Sequence, residues 1–542
     1  MVLRALAVPL SIAVVVGLAG CDPLGGGDAG GAPGAVQVAV AEPRHLLPTN
    51  TNDADGAQVL SALFAPLVAY DEHNRPYEVA AEYIEWTRDH RVWTIKLKDG
   101  FTFHDGERVT ADSYINAWNY GAYAPNNQAN GYLFGRIAGY ADTQPTDPDG
   151  AGPEPATDPA AKTLSGLEKV DDLTVRVTLS APFTEFMSML GTTAFYPLPS
   201  SAWQSPGVLK PGFEDAIVGQ GPFKLTGGWK RGEPIQVARY EPYAGDKPKV
   251  PALTFRPYTQ LTAAYGDLLD GDLDVLRTLP TERLADAASD LGDRRGQRDG
   301  STLQMLAFPM YQPEFAKAEV RRAISMAIDR DALVRTVFDG AQLPARAFVS
   351  PVVPGYRPDS CTAACAFDPE AAKRLYAEAG GPATLRITYN DDGGHQEWIE
   401  ATCAQLRANL GVTCEPVTEP RFADLLTRVA KREPVGLFRM AWPMDYPSME
   451  NYLTPLYSMT GSSNYAGYRN AEFDTLLTEA TRGVTEAEMQ RKYRQAEDLL
   501  AKDMPVIPLR FSQYNYGYSA KVRNVKLDLF GNVDLVALES TS

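Results

Sequence analysis

At 542 residues, with 44% hydrophobic and 22% charged side chains, the chain reads as a soluble globular protein of about three domain-sized units. Its 51 basic against 68 acidic residues give a net charge of −17, and it carries no basic tract. That balance argues against nucleic acid or anionic lipid headgroups as a partner, since both require positive charge.

The N-terminus, "MVLRALAVPLSIAVVVGLAGC", has one early cation, Arg4, then an apolar run and small residues before Cys21. The run is short for a spanning helix and reads as a signal-peptide core. Its end, "LAGC", resembles the lipobox of bacterial lipoproteins, which implies cleavage before Cys21 and a diacylglycerol thioether on its sulfur. An ordinary secretory signal with an incidental cysteine is the alternative. Residues 21–35 follow as a Gly-rich tether with little to pack. The formal G-x-G-x-x-G at Gly25, Gly27 and Gly30 has no strand before it and no helix after it, so a dinucleotide site is not supported.

The body alternates strand and helix signals. "VWTIKLKDGFTFHDG" (92–106) places two Asp-Gly turns between alternating runs, and "LTVRVTLS" (173–180) puts Val175, Val177 and Leu179 on one face. Between them, "ADTQPTDPDGAGPEPATDPAAK" (141–162) reads as an exposed insertion. "EVRRAISMAIDRDALVRTVFDG" spaces Val320, Ala323, Ile324, Ala327 and Ile328 as the buried stripe of a helix. "FVSPVVPGYRPDSCTAACAF" (348–367) is an ordered irregular loop by its prolines and cysteines. "DPEAAKRLYAEAGG" opens with Asp368 as N-cap and Pro369 at the first helical position, and closes on Gly380. Thr485 and Glu488 form a capping-box pattern, and "PVIPLRF" (505–511) returns to a strand.

The four cysteines after Cys21 suggest disulfides in an exported chain, with local pairs Cys361–Cys365 and Cys403–Cys414 expected. A zinc site is the rival reading, although no C-x-x-C spacing occurs. Nucleophile-elbow, H-E-x-x-H, P-loop and EF-hand patterns are missing, and the five histidines lack metal-ligand spacing. Binding without catalysis, cofactor or metal is therefore the expectation.

Six segments in order resemble the extracellular solute-binding proteins of bacterial ABC importers, in the oligopeptide and dipeptide branch. "LFAPLVAYD" (63–71) is similar to the early motif in which a strand leads into the second lobe. "WTIKLKDGFTFHDGERVTADSYINAW" (93–118) looks like the branch's signature hairpin and helix. "VGQGPFKLTGGWKRGEPI" (218–235), "LLDGDLDV" (268–275), "VRRAISMAIDRDALV" (320–334) and "AEDLLAKDMPVIPL" (496–509) follow in the family's order.

The resemblance implies an α/β, two-lobed periplasmic-binding-protein fold with a hinge and an extra third domain. Residues 1–20 would be the signal peptide and 21–35 the tether. Residues 36–64, 189–303 and 506–542 would form lobe I, 65–188 the extra domain, and 304–505 lobe II. It also implies a monomeric, lipid-anchored receptor on the outer face of the cytoplasmic membrane that passes short peptides to ABC permease subunits. Nickel, haem, an opine or an oligosaccharide are alternative ligands. A secreted hydrolase or a sensory lipoprotein would be a different class of function.

In peptide-binding relatives a Trp-x-x-Asp pair lies in the cleft and its acid takes the ligand's α-ammonium. "RMAWPMD" places Trp442 and Asp445 at that spacing, with Arg439 three residues before the Trp. The resemblance gives Arg439 and His395, which opens a helix after a strand, the ligand carboxylate. Ala441 stands where relatives often have Gly, and Pro443 is unusual. Structural roles are the competing readings: an Asp445–Arg439 bridge, Trp442 as core, His395 as a helix cap.

Overall fold

Two thirteen-residue strands cross the molecule side by side, and everything else is arranged about them. The structure is a computed structural model describing residues 34–146, 157–483 and 485–541. The signal peptide, Cys21, most of the tether and residues 147–156 of the expected insertion lie outside the described residues.

One sheet contains eleven strands. In chain order they are β1 (Val36–Val40), β2 (Phe223–Leu225), β3 (Ile235–Arg239), β4 (Ala252–Pro257), β5 (Val275–Leu276) and β6 (Arg295–Ala307). Then come β7 (Gln342–Pro344), β8 (Thr384–Asn390), β9 (Thr413–Glu419), β10 (Leu437–Trp442) and β11 (Val506–Tyr518). Their order is β2-β3-β4-β1-β5-β11-β6-β10-β8-β9, with β7 on β11. Strands β1 to β5 therefore lie on one side of the β6–β11 pair and β8 to β10 on the other.

That pair is continuous but not uniform. Its register slips between Asp299 and Leu303. There Gly300 lies so close to Ser512 that an added Cβ would stand 2.3 Å from the hydroxyl oxygen. Ser512 Oγ accepts from Thr302 N–H at 3.0 Å, and Ser350 Oγ donates to Gly300 O at 2.8 Å. On one side of the slip residues 303–307 and 506–511 pack in one core, and on the other Tyr514, Tyr516 and Tyr518 pack against a different one. The first core joins Val36–Val40, the 46–255 region and Val522–Leu538; the second joins Leu303 through Phe511. Two lobes connected by a pair of strands, with an irregularity at the crossing, form a hinge.

A second sheet, antiparallel throughout, consists of Ala81–Trp86, Val92–Leu97, Thr174–Thr178 and Leu167–Asp171 in that spatial order. Helix Ala111–Ala122 packs on it, and its apolar residues run continuously into the first core. This is the extra domain, built onto the first lobe. The "GQGPF" motif locks the junction. Added Cβ atoms at Gly219 and Gly221 would meet Leu63 O at 1.9 Å and Phe64 N at 2.4 Å. Gln220 between them bonds both Ala65 N and Ala65 O.

Three local expectations change. Strand Val68–Tyr70 pairs only with Pro76–Glu78, and Leu67 and Val68 pack in the first core, so the early motif does not lead into the second lobe. The Asp-Gly turn at 105–106 closes a single bridge, Thr102 to Arg108, because β-pairing of Val92–Leu97 is already saturated by strands on both sides. The helical stripe at 320–334 splits into α1 (Ala318–Met326) and α2 (Arg330–Val337). Asp329 starts the second by accepting from Ala332 N–H at 2.9 Å, while the Arg330 guanidinium donates to the carbonyls of Ser325 and Ile328 at the end of the first. Those bonds satisfy carbonyls that a continuous helix would have used internally.

Helix α3 (Pro369–Ala379) has the expected Asp368 cap and closes on left-handed Gly380. Helices α4 (Gln396–Leu410), α5 (Phe422–Ala430), α6 (Glu450–Tyr457) and α7 (Glu486–Asp503), with a further helix at Ala471–Thr481, pack in the second lobe. Cys361–Cys365 and Cys403–Cys414 stand at disulfide distance, with Cα separations of 5.5 and 5.2 Å. Among the described residues, no helix is long and apolar enough to cross a membrane, and no cluster suited to a metal ion occurs.

Candidate ligand-binding site

Strand β10 is the second lobe's neighbour to the hinge strand, pairing Leu303 with Trp442 and Leu306 with Arg439. Its alternation sends Phe438 and Met440 into the core and leaves Arg439 and Ala441 half-buried on the other face. The chain then leaves the sheet beside the hinge, and the next residues form a polar loop enclosed by apolar ones. Met444 and Tyr446 are buried on either side of Asp445.

Asp445 is half-buried, and among the described residues it receives hydrogen bonds from neutral groups only. Tyr132 O–H donates to Oδ1 at 2.7 Å, and Asn451 Nδ2 donates to Oδ2 at 3.2 Å. Its own N–H donates to Asn451 Oδ1 at 2.8 Å, an atom that also receives Trp442 Nε1 at 3.4 Å. Asn451 thus holds the Trp442–Asp445 pair in one geometry. Burial pushes the Asp445 carboxyl above its usual range; the bonds from Tyr132 and Asn451 oppose that shift, and nearby Glu450 adds to it. The bridge to Arg439, the competing structural reading, does not form, because the alternation of β10 puts the arginine on the opposite face. No cation within ion-pair distance of Asp445 is found among the described residues.

Tyr132 belongs to the extra domain and Asp445 to the second lobe, so their bond crosses between the two. It is not alone. Arg136 donates to Glu450 at 2.6 Å, and Glu450 also receives Tyr446 O–H. Glu185, 8% exposed, lies in the same seam with Ser188 Oγ at 3.3 Å, and burial raises its carboxyl to about 7.

On the other face of β10, Arg439 lies over the Phe422 ring at 4.9 Å and donates to Asn390 Oδ1 at 3.3 Å. His395 stands at the N-terminus of α4 but makes no capping bond; its Nδ1 instead accepts from Trp398 Nε1 at 3.2 Å. Burial first, then the charges of Arg439 and Arg510, lower the His395 imidazole to about 4, so it is neutral at neutral pH. The sequence-derived residues therefore fall into two groups: Trp442 with Asp445, and Arg439 with His395. Tyr132 and Arg510 were not legible as site residues, since they come from elements far apart in sequence; Asn451 is only six residues from Asp445, but its bonds to Trp442 and Asp445 depend on how the intervening loop folds back. A pocket of 520 Å³ beside the Cys361–Cys365 pair includes none of them.

A family profile described as bacterial extracellular solute-binding proteins, family 5, matches residues 75–464. The chain belongs to that family. Among relatives of this family 5 protein, the periplasmic oligopeptide-binding protein OppA of Salmonella typhimurium is 26% identical over 491 residues, covering 87% of this chain and 86% of the relative. Heme-binding protein A of Haemophilus influenzae is 29% identical over 387 residues, covering 68% of each. The solved structure of MppA, a murein tripeptide-binding protein in its unliganded open form, superposes with a TM-score of 0.79 at 22% identity, covering 94% of this chain and 97% of that one. Haemophilus influenzae OppA in complex with a nonapeptide gives 0.70 at 21% identity, over 94% and 99% of the two chains. These likenesses fix the two-lobed periplasmic-binding-protein fold with its extra domain.

Proposed function

We propose that this family 5 protein is a lipid-anchored receptor that captures short peptides between its lobes and delivers them to an ABC permease. The observation that carries the reading is Asp445, an oriented, desolvated carboxylate beside an indole and without a cation among the described residues. Removing a charge from water is costly unless it is paired. A ligand α-ammonium would complete the site on arrival, with Trp442 alongside. Arg439 and His395 would take the ligand's carboxylate end. Main-chain hydrogen bonds to β-strand edges would hold the middle of such a ligand.

The lobes are proposed to comprise 36–64, 189–303 and 506–542 for the first and 304–505 for the second, with 65–188 as the extra domain. The two cores, which meet at the strand crossing, support that division except at residues 506–511, whose apolar residues pack in the second core. Cleavage before Cys21 and lipidation of its sulfur would tether the receptor to the outer face of the membrane. The names of the OppA relatives support a peptide ligand. The name of the haem-binding relative suggests haem as a second reading.

Mass spectrometry of the protein purified from its host, with calorimetric titration of di- to pentapeptides and of haem, tests the assignment. A co-purified peptide and micromolar or tighter peptide binding are expected. Haem binding with no heat from any peptide would replace the assignment. Cys21→Ala is expected to release the protein from the membrane fraction.

A further inference from the structure

Among the described residues, four arginines about the second core have a strongly lowered guanidinium pKa, and they divide into two kinds. Arg321 donates to the carbonyls of Asp503, Met504, Phe315 and Ala316, and Arg330 to those of Pro508, Ser325, Ile328 and Cys365. Both are saturated by backbone and need nothing more. Arg439 and Arg510 differ. Among the described residues each makes a single hydrogen bond, to a side-chain amide: Asn390 at 3.3 Å and Gln342 at 3.2 Å. Neither has an ion pair among those residues, and Arg439 Nε is buried without a partner.

The two also face one another. Gln304 of β6 pairs with Ala441 on one side and Arg510 on the other, so all three, with Arg439 two residues along β10, share one face of the sheet. Arg510, only 8% exposed, is sandwiched over Phe338 at 4.2 Å and Trp398 at 5.8 Å, which fixes its plane but supplies no charge. Burial lowers the Arg439 guanidinium to about 10 against the opposing charge of Asp392, and burial together with the charge of Arg439 lowers Arg510 to about 10. Gln304 Oε1 is also buried without a donor. Asp392 is the nearest acid: it acts on Arg439 and His395 from a distance and is occupied by Asn390 Nδ2 at 2.6 Å. Two desolvated cations on one face of the sheet, with no acid in ion-pair contact among the described residues, form a costly arrangement, and it becomes favourable when a doubly negative group enters.

We infer that Arg510 and Arg439 together form a subsite for a dianionic ligand end, so that the cleft selects peptides whose C-terminal residue is itself acidic. Arg439, with His395, would take the α-carboxylate, and Arg510 the side-chain carboxylate of a terminal Asp or Glu. This rests on the peptide reading, and the experiment separates the two.

Ala-Ala-Glu and Ala-Ala-Gln are titrated calorimetrically into wild type, Arg510→Gln and Arg510→Lys, each checked for unchanged circular dichroism. In wild type the Glu peptide is expected to bind about ten- to a hundredfold tighter, the value of one charge-assisted contact. Arg510→Gln should bring that ratio close to one while changing the affinity for Ala-Ala-Gln little, and Arg510→Lys should keep part of it. Equal affinity of wild type for the two peptides, or a ratio that survives in Arg510→Gln, overturns the subsite. If neither peptide binds, the melting temperature with glutarate decides. A rise in wild type that is lost in Arg510→Gln supports the subsite and rejects only the peptide reading; no rise rejects both.

Discussion

Replacing Asp445 by Asn separates a binding carboxylate from a structural one. In the free protein the carboxylate receives Tyr132 at 2.7 Å and Asn451 at 3.2 Å but has no cation among the described residues. Its folded pKa is raised, so its contribution to stability is full below the ordinary carboxylate range and lost as pH rises through the raised value. At neutral pH the wild type therefore bears the cost of a desolvated charge, which the neutral amide of the Asp445→Asn variant avoids. The amide loses at most one hydrogen bond, about 1 kcal/mol, so the free variant should be as stable as wild type within that margin. Binding should behave in the opposite way. Removing one member of a desolvated pair costs about 3–5 kcal/mol, and the lower end suits this half-buried site. That corresponds to a loss of at least about a hundredfold in affinity. Calorimetry with Ala-Ala-Ala measures the affinity and urea melts measure the stability, while N-acetyl-Ala-Ala-Ala removes the ammonium from the other side. Affinity within about twofold of wild type would refute the reasoning, as would a wild type indifferent to acetylation. A stability loss of about 3 kcal/mol or more in the free variant would mark Asp445 as structural instead.

Glu185 should make the seam between the extra domain and second lobe sensitive to pH. Its folded value, about 7, lies above the ordinary glutamate value, so its contribution is full below about 4.5 and lost as pH rises through 7. Relative to Glu185→Gln, wild type should lose about 3 kcal/mol across that window; parallel urea-melt curves for the two proteins would count against it. His395 has the opposite sign, its folded value of about 4 lying below the ordinary 6.5. Stability should be full above 6.5 and fall as pH drops toward 4, and an anionic ligand that raises the imidazole should bind more tightly as pH falls below 6.5. Titration calorimetry in two buffers should then show proton uptake in wild type and none in His395→Gln. Serine at both Cys403 and Cys414, which close an eleven-residue separation, should cost about 3 kcal/mol. The same change at Cys361 and Cys365, four apart, should cost about 2 kcal/mol. Denaturant melts that reverse this order would contradict the loop-closure account.

Local signals were legible wherever short-range chemistry decides. Asp368, Pro369 and Gly380 bound a helix because an N-cap acceptor, a residue lacking an amide donor and a left-handed stop act within one turn. The split at 326–330 escaped because Arg330 satisfies carbonyls that periodicity assigns to a helix, and only its burial against Pro508 reveals that role. The Trp442–Asp445 spacing was readable, but the isolation of Asp445 from Arg439 follows from strand alternation on a sheet whose partners are more than a hundred residues away.

The sequence by itself determined the secondary elements, the export signal and cysteine pairing as expectations, and an isolated acid among apolar residues. Tertiary structure alone decided what surrounds that acid. Tyr132 reaches Asp445 across 313 residues of sequence, and Arg510 joins Arg439 through a strand between them. Pattern and propensity act over a few residues, whereas desolvation and charge pairing depend on which distant segments the fold packs together.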